Sequence, residues 1–408
     1  MRERRAHGSR LGPGLIPQSG TLRDMTGRGR KKSILIVSAT VGAGHVRAGE
    51  ALLAAAEFLP RPVTISHADV LDFTSPLFKK LYGDSYYEIV QRSPELWGYL
   101  YKKSDSRKPL RAKAGLMKLF DHFNYKKYLK ELSTLKPDAV ICTHFLPYLA
   151  IEDEISNPGW QIPFFAVPTD YDVHSLWVSR AISRYYAATD EAAWSIQTHG
   201  IPPENIGVSG IPIMPQFGLR MSRQAARKRL DIPSGCFTIL ILSGGYGIGV
   251  VDELAGSVAR FLGTDARRDF QLIVVCGKNR GLYGKLSKMA FPPNVRARIY
   301  EYITFVDQTM ACSDLIITKA GGLTVSEALA RHLPLLILDP FPGQEGRNAD
   351  YLIEHGAAIS AHGFENLHYK LRRLIEEPGL LSLMRNRAAG LARPHAAREI
   401  LKDVLGRL

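Results

Sequence analysis

The sequence contains few cysteines, and their spacing supports neither a disulfide framework nor a zinc site. Its 408 residues include only Cys142, Cys236, Cys276 and Cys312, which lie too far apart to form the closely spaced pairs of zinc or redox motifs. No apolar run approaches the roughly 20 residues that a membrane-spanning helix requires, and no secretory signal pattern is present. We therefore expect a cytoplasmic protein that does not span a membrane.

Acidic residues are scarce relative to basic ones. The chain has 53 Lys and Arg against 39 Asp and Glu, a formal net charge of +14. This surplus predicts an anionic partner, either nucleic acid, an anionic membrane surface or a phosphorylated substrate. Residues 1–32 hold nine basic and two acidic side chains, which predicts a disordered basic tail. Contact with lipid, contact with nucleic acid and no specific role are all open for this tail, and Met25 is an alternative start of translation.

Two glycine-rich turns lack the remaining residues of the common nucleotide motifs. The first reads SATVGAGH from Ser38 to His45, and Arg47 stands where a dinucleotide fingerprint needs its third glycine. The second reads SGGYGIG over residues 243–249, and Val250 stands at the equivalent place. Neither turn ends in the Gly-Lys-Ser or Gly-Lys-Thr of a P-loop. These differences argue against hydride transfer and ATP hydrolysis.

From Ser33 onward, short apolar runs alternate with glycine-rich turns and helical patterns, which is typical of parallel βαβ units. The pattern predicts two groups of six strands, at 33–38, 62–67, 138–143, 163–167, 184–188 and 206–208, and at 237–242, 270–275, 298–302, 314–318, 334–338 and 357–360. The predicted fold class is α/β, with two doubly wound Rossmann-like domains that face each other across a cleft. The predicted domains are 33–215 and 216–390, followed by a C-terminal helix (391–408) that packs back on the first domain.

Residues 77–128 interrupt this alternation with a basic and aromatic excursion. The segment holds 12 Lys or Arg, five Asp or Glu and 11 of the 37 aromatic residues of the chain. Cationic helices with aromatic faces lie at lipid headgroups, so the composition favours contact with anionic membrane lipids. The alternative is that the aromatic side chains pack this excursion onto the first domain. Single-stranded nucleic acid binding also uses such residues, but it requires exposed stacking surfaces.

Two further patterns indicate chemistry at strand ends. In the first glycine-rich turn, Gly42 and Gly44 allow close approach of a ligand, and His45 can accept a proton from a hydroxyl near neutral pH. Near the C-terminal end, TKAGGLTVSE (318–327) places a glycine pair at a helix start, a seat for a pyrophosphate, and Glu327 can accept ribose hydroxyls. DPFPGQEGRN (339–348) then supplies polar side chains that can bind sugar hydroxyls.

Together these motifs resemble the monogalactosyldiacylglycerol synthases and the bacterial processive diacylglycerol glucosyltransferases. The resemblance runs from about residue 33 to about residue 356 and includes CTHFLP (142–147) and PTDYDVHSLW (168–177). A broader group contains the glycosyltransferase that attaches N-acetylglucosamine to the lipid-linked peptidoglycan precursor. The resemblance implies a GT-B fold in which the first domain holds the acceptor and the second holds a UDP-sugar.

The resemblance also implies roles for individual residues. It makes His45 the catalytic base and places Asp170 at the reaction centre. On the acceptor side it implicates Gly42, Gly44, Thr143, His144 and His174. On the donor side it implicates Gly244, Gly245, Lys278, Phe305, Gly321, Gly322, Thr324, Glu327, Gln344, Glu345 and Asn348.

The activity implied is inverting transfer of a hexose from UDP-glucose or UDP-galactose to diacylglycerol, at the inner face of the cell membrane. Asp170-Tyr171-Asp172 spells the Asp-x-Asp of metal-dependent glycosyltransferases, but it lies in the predicted acceptor domain, so we expect no metal and no other cofactor. A peptidoglycan-type glycosyltransferase and a UDP-sugar epimerase are alternatives on the same fold. A basic nucleic-acid-binding protein is a more distant alternative, because nucleic acid binding does not explain these motifs. We therefore expect no nucleic acid partner.

Overall fold

Two six-stranded parallel sheets form the framework of the protein. The computed structural model describes residues 31–60, 62–75, 79, 125–242, 251–340 and 342–408. The strands of this part are Ser33–Ser38 (β1), Thr64–Asp69 (β2), Ala139–Cys142 (β3), Phe164–Ala166 (β4), Arg184–Ala187 (β5), Ile206–Val208 (β6), Phe237–Leu242 (β7), Phe270–Val275 (β8), Val295–Tyr300 (β9), Leu315–Thr318 (β10), Leu335–Leu338 (β11) and Ala358–Ala361 (β12).

Helices connect these strands and cover the sheets. Those in the described residues are Ala43–Ala55, Tyr125–Leu135, Leu146–Leu149, Glu152–Ile155, Asp190–Thr198, Arg223–Arg229, Val251–Gly263, Arg280–Leu286, Val306–Cys312, Gly322–Ala330, Gln344–Glu354, Gly363–Glu376, Pro378–Leu391 and Ala396–Gly406.

The strand orders confirm the predicted fold class. The first sheet has the order β2-β1-β3-β4-β5-β6, the second has the order β12-β11-β10-β7-β8-β9, and the strand pairs are parallel. Each order reverses direction once, between β1 and β3 in the first sheet and between β7 and β10 in the second. In such sheets, ligands bind beyond the carboxyl ends of the strands at this reversal. The glycine-rich turn after β1 and the glycine pair after β10 both lie there.

The predicted strands correspond to the observed ones with small differences at their ends. The largest difference is in β9, which was placed at residues 298–302 and runs instead from Val295 to Tyr300. β9 is an edge strand, so it has partly exposed positions and includes Arg296 and Arg298. These arginines hide the apolar pattern that marks the central strands of parallel sheets.

The chain crosses between the two sheets at two neighbouring places. Near residue 210 the backbone of Gly210 has a φ of 84°, and a Cβ there would lie 2.4 Å from the Cβ of Arg393 in the second crossing. Beyond that crossing, the helix Ala396–Gly406 packs on the first sheet. The shared core includes Ile34, Ile36, Ala51, Leu52, Ala397, Ile400, Leu401 and Val404. The predicted domain limits at 215 and 390 stay predictions.

Most of the basic aromatic excursion lies outside the described residues, as do residues 1–30. At its described end, Tyr128 is fully buried, and its ring centroid lies 5.3 Å from that of Phe73. Lys127 places its Nζ 5.8 Å from the Phe73 ring centroid. Tyr128 therefore belongs to the core of the first domain. Within the described ranges, no helix is both long enough and apolar enough to span a bilayer.

Candidate active site

His45 lies at the carboxyl edge of the first sheet, in the first turn of the helix Ala43–Ala55, which we call the His45 helix. Its ring Nδ1 lies 3.0 Å from the carbonyl oxygen of Thr143 and 2.8 Å from the hydroxyl of Thr169. Thr143 follows β3, and Thr169 lies beyond β4. Because β1, β3 and β4 are neighbouring parallel strands, three distant segments of the chain meet at this nitrogen.

These surroundings set the protonation of His45. Burial lowers the pKa of His45 to about 4, and the hydrogen bond with Thr143 only partly opposes this effect. A carbonyl oxygen can only accept a hydrogen bond, so Nδ1 carries the ring proton and donates it to Thr143. The neutral ring then has its lone pair on Nε2. This is the form of histidine that can accept a proton from a hydroxyl.

We expect the His45 ring to stay neutral, with its proton on Nδ1, well below pH 6.5, because its pKa is lowered to about 4. Nitrogen-15 spectra of histidine-labelled protein would follow the ring nitrogens through a pH titration. The His45→Asn variant would identify the signal, and exposed His362 would provide a reference in the same spectra. A His45 signal that titrates near pH 6.5 would contradict this assignment.

A hydrogen-bonded cluster behind His45 fixes the backbone around it. Ser38 Oγ lies 2.6 Å from His67 Nε2 and 2.8 Å from Thr143 Oγ1. The Thr143 hydroxyl donates to the His45 carbonyl oxygen at 2.9 Å. A Cβ at Gly49 would lie 2.6 Å from His67 Nε2 and 2.7 Å from Ser38 Oγ, so a larger residue there would displace these side chains. Thr143 thus contacts His45 twice, through its carbonyl and through its hydroxyl.

The other two histidines assigned to the acceptor side stabilise turns. His144 Nδ1 accepts from the backbone N–H of Leu146 at 3.0 Å, and His174 Nδ1 accepts from that of Leu176 at 3.1 Å. The His144 ring also packs edge-on against His45, with ring centroids 4.6 Å apart. Burial lowers the pKa of His144 well below its usual value. In the described part of the chain, no group of three His, Cys, Asp or Glu side chains is arranged to hold a metal ion.

The second domain presents a helix start to the same cleft. The helix Gly322–Ala330, which we call the glycine-pair helix, begins directly after Gly321 and includes Thr324 in its first turn. Free N–H groups at such a start favour an anion. Glu327 is partly buried on this helix, and burial raises its pKa to about 7 while the charge of Arg47 on the His45 helix opposes that rise. The two helices therefore face each other.

The backbone of Gly322 packs directly against the first domain. A Cβ at this position would lie 2.1 Å from the carbonyl oxygen of Thr169 and 3.1 Å from Ile211 Cδ1. Only a residue without a side chain allows these backbones to touch. The cleft is therefore closed beside His45 in this conformation.

Polar residues of the predicted sugar-binding segment start the helix Gln344–Glu354, which we call the Asn348 helix. Gln344 and Glu345 are partly exposed in its first turn. Burial lowers the pKa of Lys319, and the charges of Glu345 and Asp339 oppose that shift. A lysine and two carboxylates thus lie close together beside the glycine pair.

The remaining donor-side residues are placed less closely together. Lys278 is exposed in the turn that follows β8. Phe305 follows β9, and its ring centroid lies 5.7 Å from that of Tyr300. Gly244 and Gly245 lie outside the described residues. The roles of these four residues stay predictions.

Residues 169–172, which we call the bridging loop, connect the acceptor side to the donor side. Asp170 Oδ1 accepts a hydrogen bond from Asn348 Nδ2 at 3.0 Å. Asp172 forms an ion pair with Arg347. Both carboxylates of the Asp-x-Asp sequence therefore have partners on the Asn348 helix of the other domain.

Asn348 is fully buried at this crossing. Its Oδ1 accepts from the backbone N–H of Tyr171 at 2.8 Å, and its Nδ2 donates to the carbonyl oxygen of Ala320 at 2.9 Å and to Asp170. Burial raises the pKa of Asp170 to about 6, and the hydrogen bond from Asn348 opposes this rise. The resemblance places Asn348 among the sugar-binding residues, whereas in this conformation its amide bonds to protein groups.

Sequence reasoning missed several residues of this arrangement. Thr169 had a usable signal, since it follows a predicted strand and precedes Asp170. Ser38 lies at the end of β1, but its contact with His67 depends on the pairing of β1 with β2. Arg347 had no signal at all, because its partner is 175 positions away.

Solved structures share this arrangement of domains. Acinetobacter baumannii MurG matches 93% of this chain and 100% of its own, with 17% identity and a TM-score of 0.56. The S. aureus MnaA–UDP co-structure matches 91% of this chain and 96% of its own, with 16% identity and a TM-score of 0.58. These identities establish a common fold. Two Rossmann-like domains that face each other across a cleft, with a histidine on one side and a glycine-pair helix start on the other, define a protein of the GT-B fold.

Sequence comparisons place the chain more closely. Residues 45–213 match the monogalactosyldiacylglycerol synthase family model, and residues 238–402 match the glycosyltransferase family 28 C-terminal domain. The processive diacylglycerol beta-glucosyltransferase of Bacillus cytotoxicus is 30% identical over 92% of this chain and 94% of its own length. The chain belongs to the family of monogalactosyldiacylglycerol synthases and processive diacylglycerol glucosyltransferases.

Proposed function

We propose that this protein transfers a hexose from a UDP-sugar to the hydroxyl of diacylglycerol with inversion, giving a β-glycosyl glycolipid. The observation that carries the proposal is the neutral His45, which Thr143 and Thr169 hold at the edge of the cleft opposite the donor-side helix start. The relatives named diacylglycerol beta-glucosyltransferases support the choice of acceptor and donor.

The transfer is a direct displacement at the anomeric carbon. His45 Nε2 takes the proton of the acceptor hydroxyl while the hydroxyl oxygen forms the new bond to that carbon. The bond from the anomeric carbon to UDP breaks on the opposite face, so an α-linked donor gives a β-linked product. Asp170 is the carboxyl group that the resemblance places at this reaction centre.

The charge that develops on the departing diphosphate needs stabilisation. The N–H groups at the start of the glycine-pair helix, from Gly321 to Thr324, face negative charge favourably. We propose that they stabilise the leaving UDP without a metal ion. Glu327 then binds the ribose hydroxyls.

The donor is UDP-glucose or UDP-galactose, and the names of the relatives favour glucose. Gln344 and Glu345, at the start of the Asn348 helix, are placed to bind the hexose hydroxyls. The two sugars differ in the orientation of one hydroxyl.

Diacylglycerol is dissolved in the bilayer, so the enzyme has to work at a membrane surface. We propose peripheral attachment to anionic lipids at the inner face of the cell membrane, through the basic aromatic excursion. Its described end contributes the exposed Lys126 and Lys127. Attraction between such lysines and anionic lipids falls with rising salt.

The direct test offers the purified protein radiolabelled UDP-glucose or UDP-galactose, with diacylglycerol in liposomes and EDTA present. We expect label from one donor to enter the lipid phase, and more of it with anionic than with zwitterionic liposomes at low salt. The measurement is the label extracted with the lipid.

The control is the same reaction without diacylglycerol, which separates transfer from the chemistry of an epimerase. Absence of lipid label from both donors, with magnesium or manganese in place of EDTA, would overturn the proposed acceptor or donor. Label that appears only with the metal ions would overturn the metal-free mechanism.

A further inference from the structure

Asn348 joins the two domains through a single side chain. It lies on the Asn348 helix of the second domain, and its amide reaches the backbone of Tyr171 and the carboxylate of Asp170 in the bridging loop of the first. The third bond, to Ala320, stays within the second domain. One planar group therefore sets the distance between the Asn348 helix, the bridging loop and the glycine pair.

Protein groups occupy both amide hydrogens of Asn348 and one of the two lone pairs of its oxygen. Both N–H groups of Nδ2 donate, to Asp170 and to Ala320, and Oδ1 accepts from Tyr171. The residue has no exposed surface. Since the side chain is buried, a sugar hydroxyl could reach this amide only after the surrounding groups had moved apart, and each bond broken and left unmade in a buried place costs free energy. Gln344 and Glu345 lie one turn earlier and are partly exposed, so they suit a sugar better.

The bridging loop also reaches the base. Thr169 starts this loop, and its hydroxyl lies 2.8 Å from His45 Nδ1. Its carbonyl oxygen is the atom that Gly322 approaches. Two residues further on, the Tyr171 hydroxyl lies 3.0 Å from Ser326 Oγ on the glycine-pair helix. The loop is thus bound to the donor domain on one side and to His45 on the other.

We infer that Asn348 is a positioning residue that couples closure of the donor domain to the placement of Asp170 and, through the bridging loop, of His45. The inference rests on the proposed function and assigns Asn348 a role other than sugar contact. Formation of the Asn348 bonds places the bridging loop, and the loop places Thr169 against the base. The active geometry is complete only while the domains are closed.

Loss of this positioning differs kinetically from loss of a sugar contact. We expect Asn348→Ala to lower kcat about tenfold to a hundredfold, since a misplacement near 1 Å has effects of this size, while the KM for the UDP-sugar changes little. Gln344→Ala should instead raise the KM for the donor. A raised donor KM with an unchanged kcat in Asn348→Ala would overturn the inference.

The pH dependence gives a readout that a purely structural role would not move. Asn348 donates to Asp170 and lowers the pKa of that carboxyl. In the proposed mechanism Asp170 acts as a carboxylate, so removal of Asn348 should raise this pKa and shift the acid limb of kcat to higher pH. The charge of Asp172 on the bridging loop raises the pKa of Asp170, as burial does. The other charged or titratable groups on the elements around the cleft include Arg347, Lys319, Glu345, Asp339, Glu327, Arg47, His45 and His144.

A double-mutant comparison tests whether Asn348 acts through Asp170. If it does, the effects of Asn348→Ala and Asp170→Asn on kcat should be less than multiplicative when combined. Independent effects would overturn the inference. Tyr171→Phe removes only the hydroxyl bond to Ser326 and serves as the milder variant if Asn348→Ala does not fold; it should lower kcat a few-fold with the donor KM unchanged, and an unaltered kcat would count against the coupling.

A measurement without turnover separates this inference from the proposed function. The four native cysteines are buried, so spin labels on Lys130→Cys and Glu365→Cys would report the distance between the domains. In the presence of UDP we expect one short distance, and a longer or broader distribution in Asn348→Ala. If no sugar is transferred but this difference appears, the proposed function fails and the coupling stands. Identical distributions would overturn the coupling.

Discussion

Replacement of His45 by alanine is expected to lower kcat by about a thousandfold, the middle of the range for loss of a general base. Nothing else described near the cleft combines a neutral ring with a nitrogen that is free to take the acceptor proton. Thr143 and Thr169 hold Nδ1, and this leaves Nε2 for the substrate. The measurement is the rate of lipid labelling with saturating donor, together with UDP affinity by calorimetry.

The matched variant is His45→Asn. Its amide N–H can still donate to the Thr143 carbonyl, but it has no basic nitrogen, so we expect it to be as inactive as the alanine variant and to bind UDP normally. His199→Ala serves as a control. It removes a partly buried histidine at the C-terminal cap of the helix Asp190–Thr198, and this variant should retain activity. If His45→Ala lost UDP binding and activity together, His45 would have a structural role.

Substitution of Gly322 by alanine is the second change with a large expected effect. The new Cβ would lie 2.1 Å from the Thr169 carbonyl oxygen, so the two backbones would have to move apart. The cleft would be held open beside His45. We expect kcat to fall by about a hundredfold, because a misplacement of reacting groups near 1 Å has an effect of this size. Lipid labelling at saturating donor measures this loss.

Gly390→Ala is the control for the cost of replacing a helical glycine. A Cβ at Gly390 meets nothing within 4 Å, and the residue is exposed in the helix Pro378–Leu391. Alanine is the better helix former, so this variant should be active and no less stable. Full activity of Gly322→Ala would show that the closed contact with Thr169 is not needed for turnover.

The strands of both sheets could be predicted from the sequence. Strands β1, β7 and β8 are continuous apolar runs, and their ends were predicted correctly. The edge strand β9 was displaced because Arg296 and Arg298 interrupt its pattern. Apolar patterns in the sequence locate strands that are buried on both faces well, but they locate half-exposed edge strands poorly.

The candidate site was predictable only in part. Residues at strand ends, such as His45 and Gly322, could be located because parallel strands bring their carboxyl ends to one edge. The partner of the His45 ring is a backbone carbonyl, which every residue has, so no residue type marks it. The contacts of Asn348 depend on how the two domains meet. Such contacts follow from tertiary geometry, which a local pattern does not contain.

The way in which the helix Ala396–Gly406 packs has a consequence for synthesis of the chain. The contact of Lys32 with Leu408 spans 376 positions, so the first domain cannot be completed until the second has been made. Until then, Ile34 and Ile36 of β1 lack the contacts of Ile400, Leu401 and Val404, and apolar surface exposed in this way promotes aggregation of incomplete chains. A stop codon after Arg393 would spare the donor sheet and yet damage the acceptor domain. The ribosome therefore has to deliver both halves before the first domain is finished.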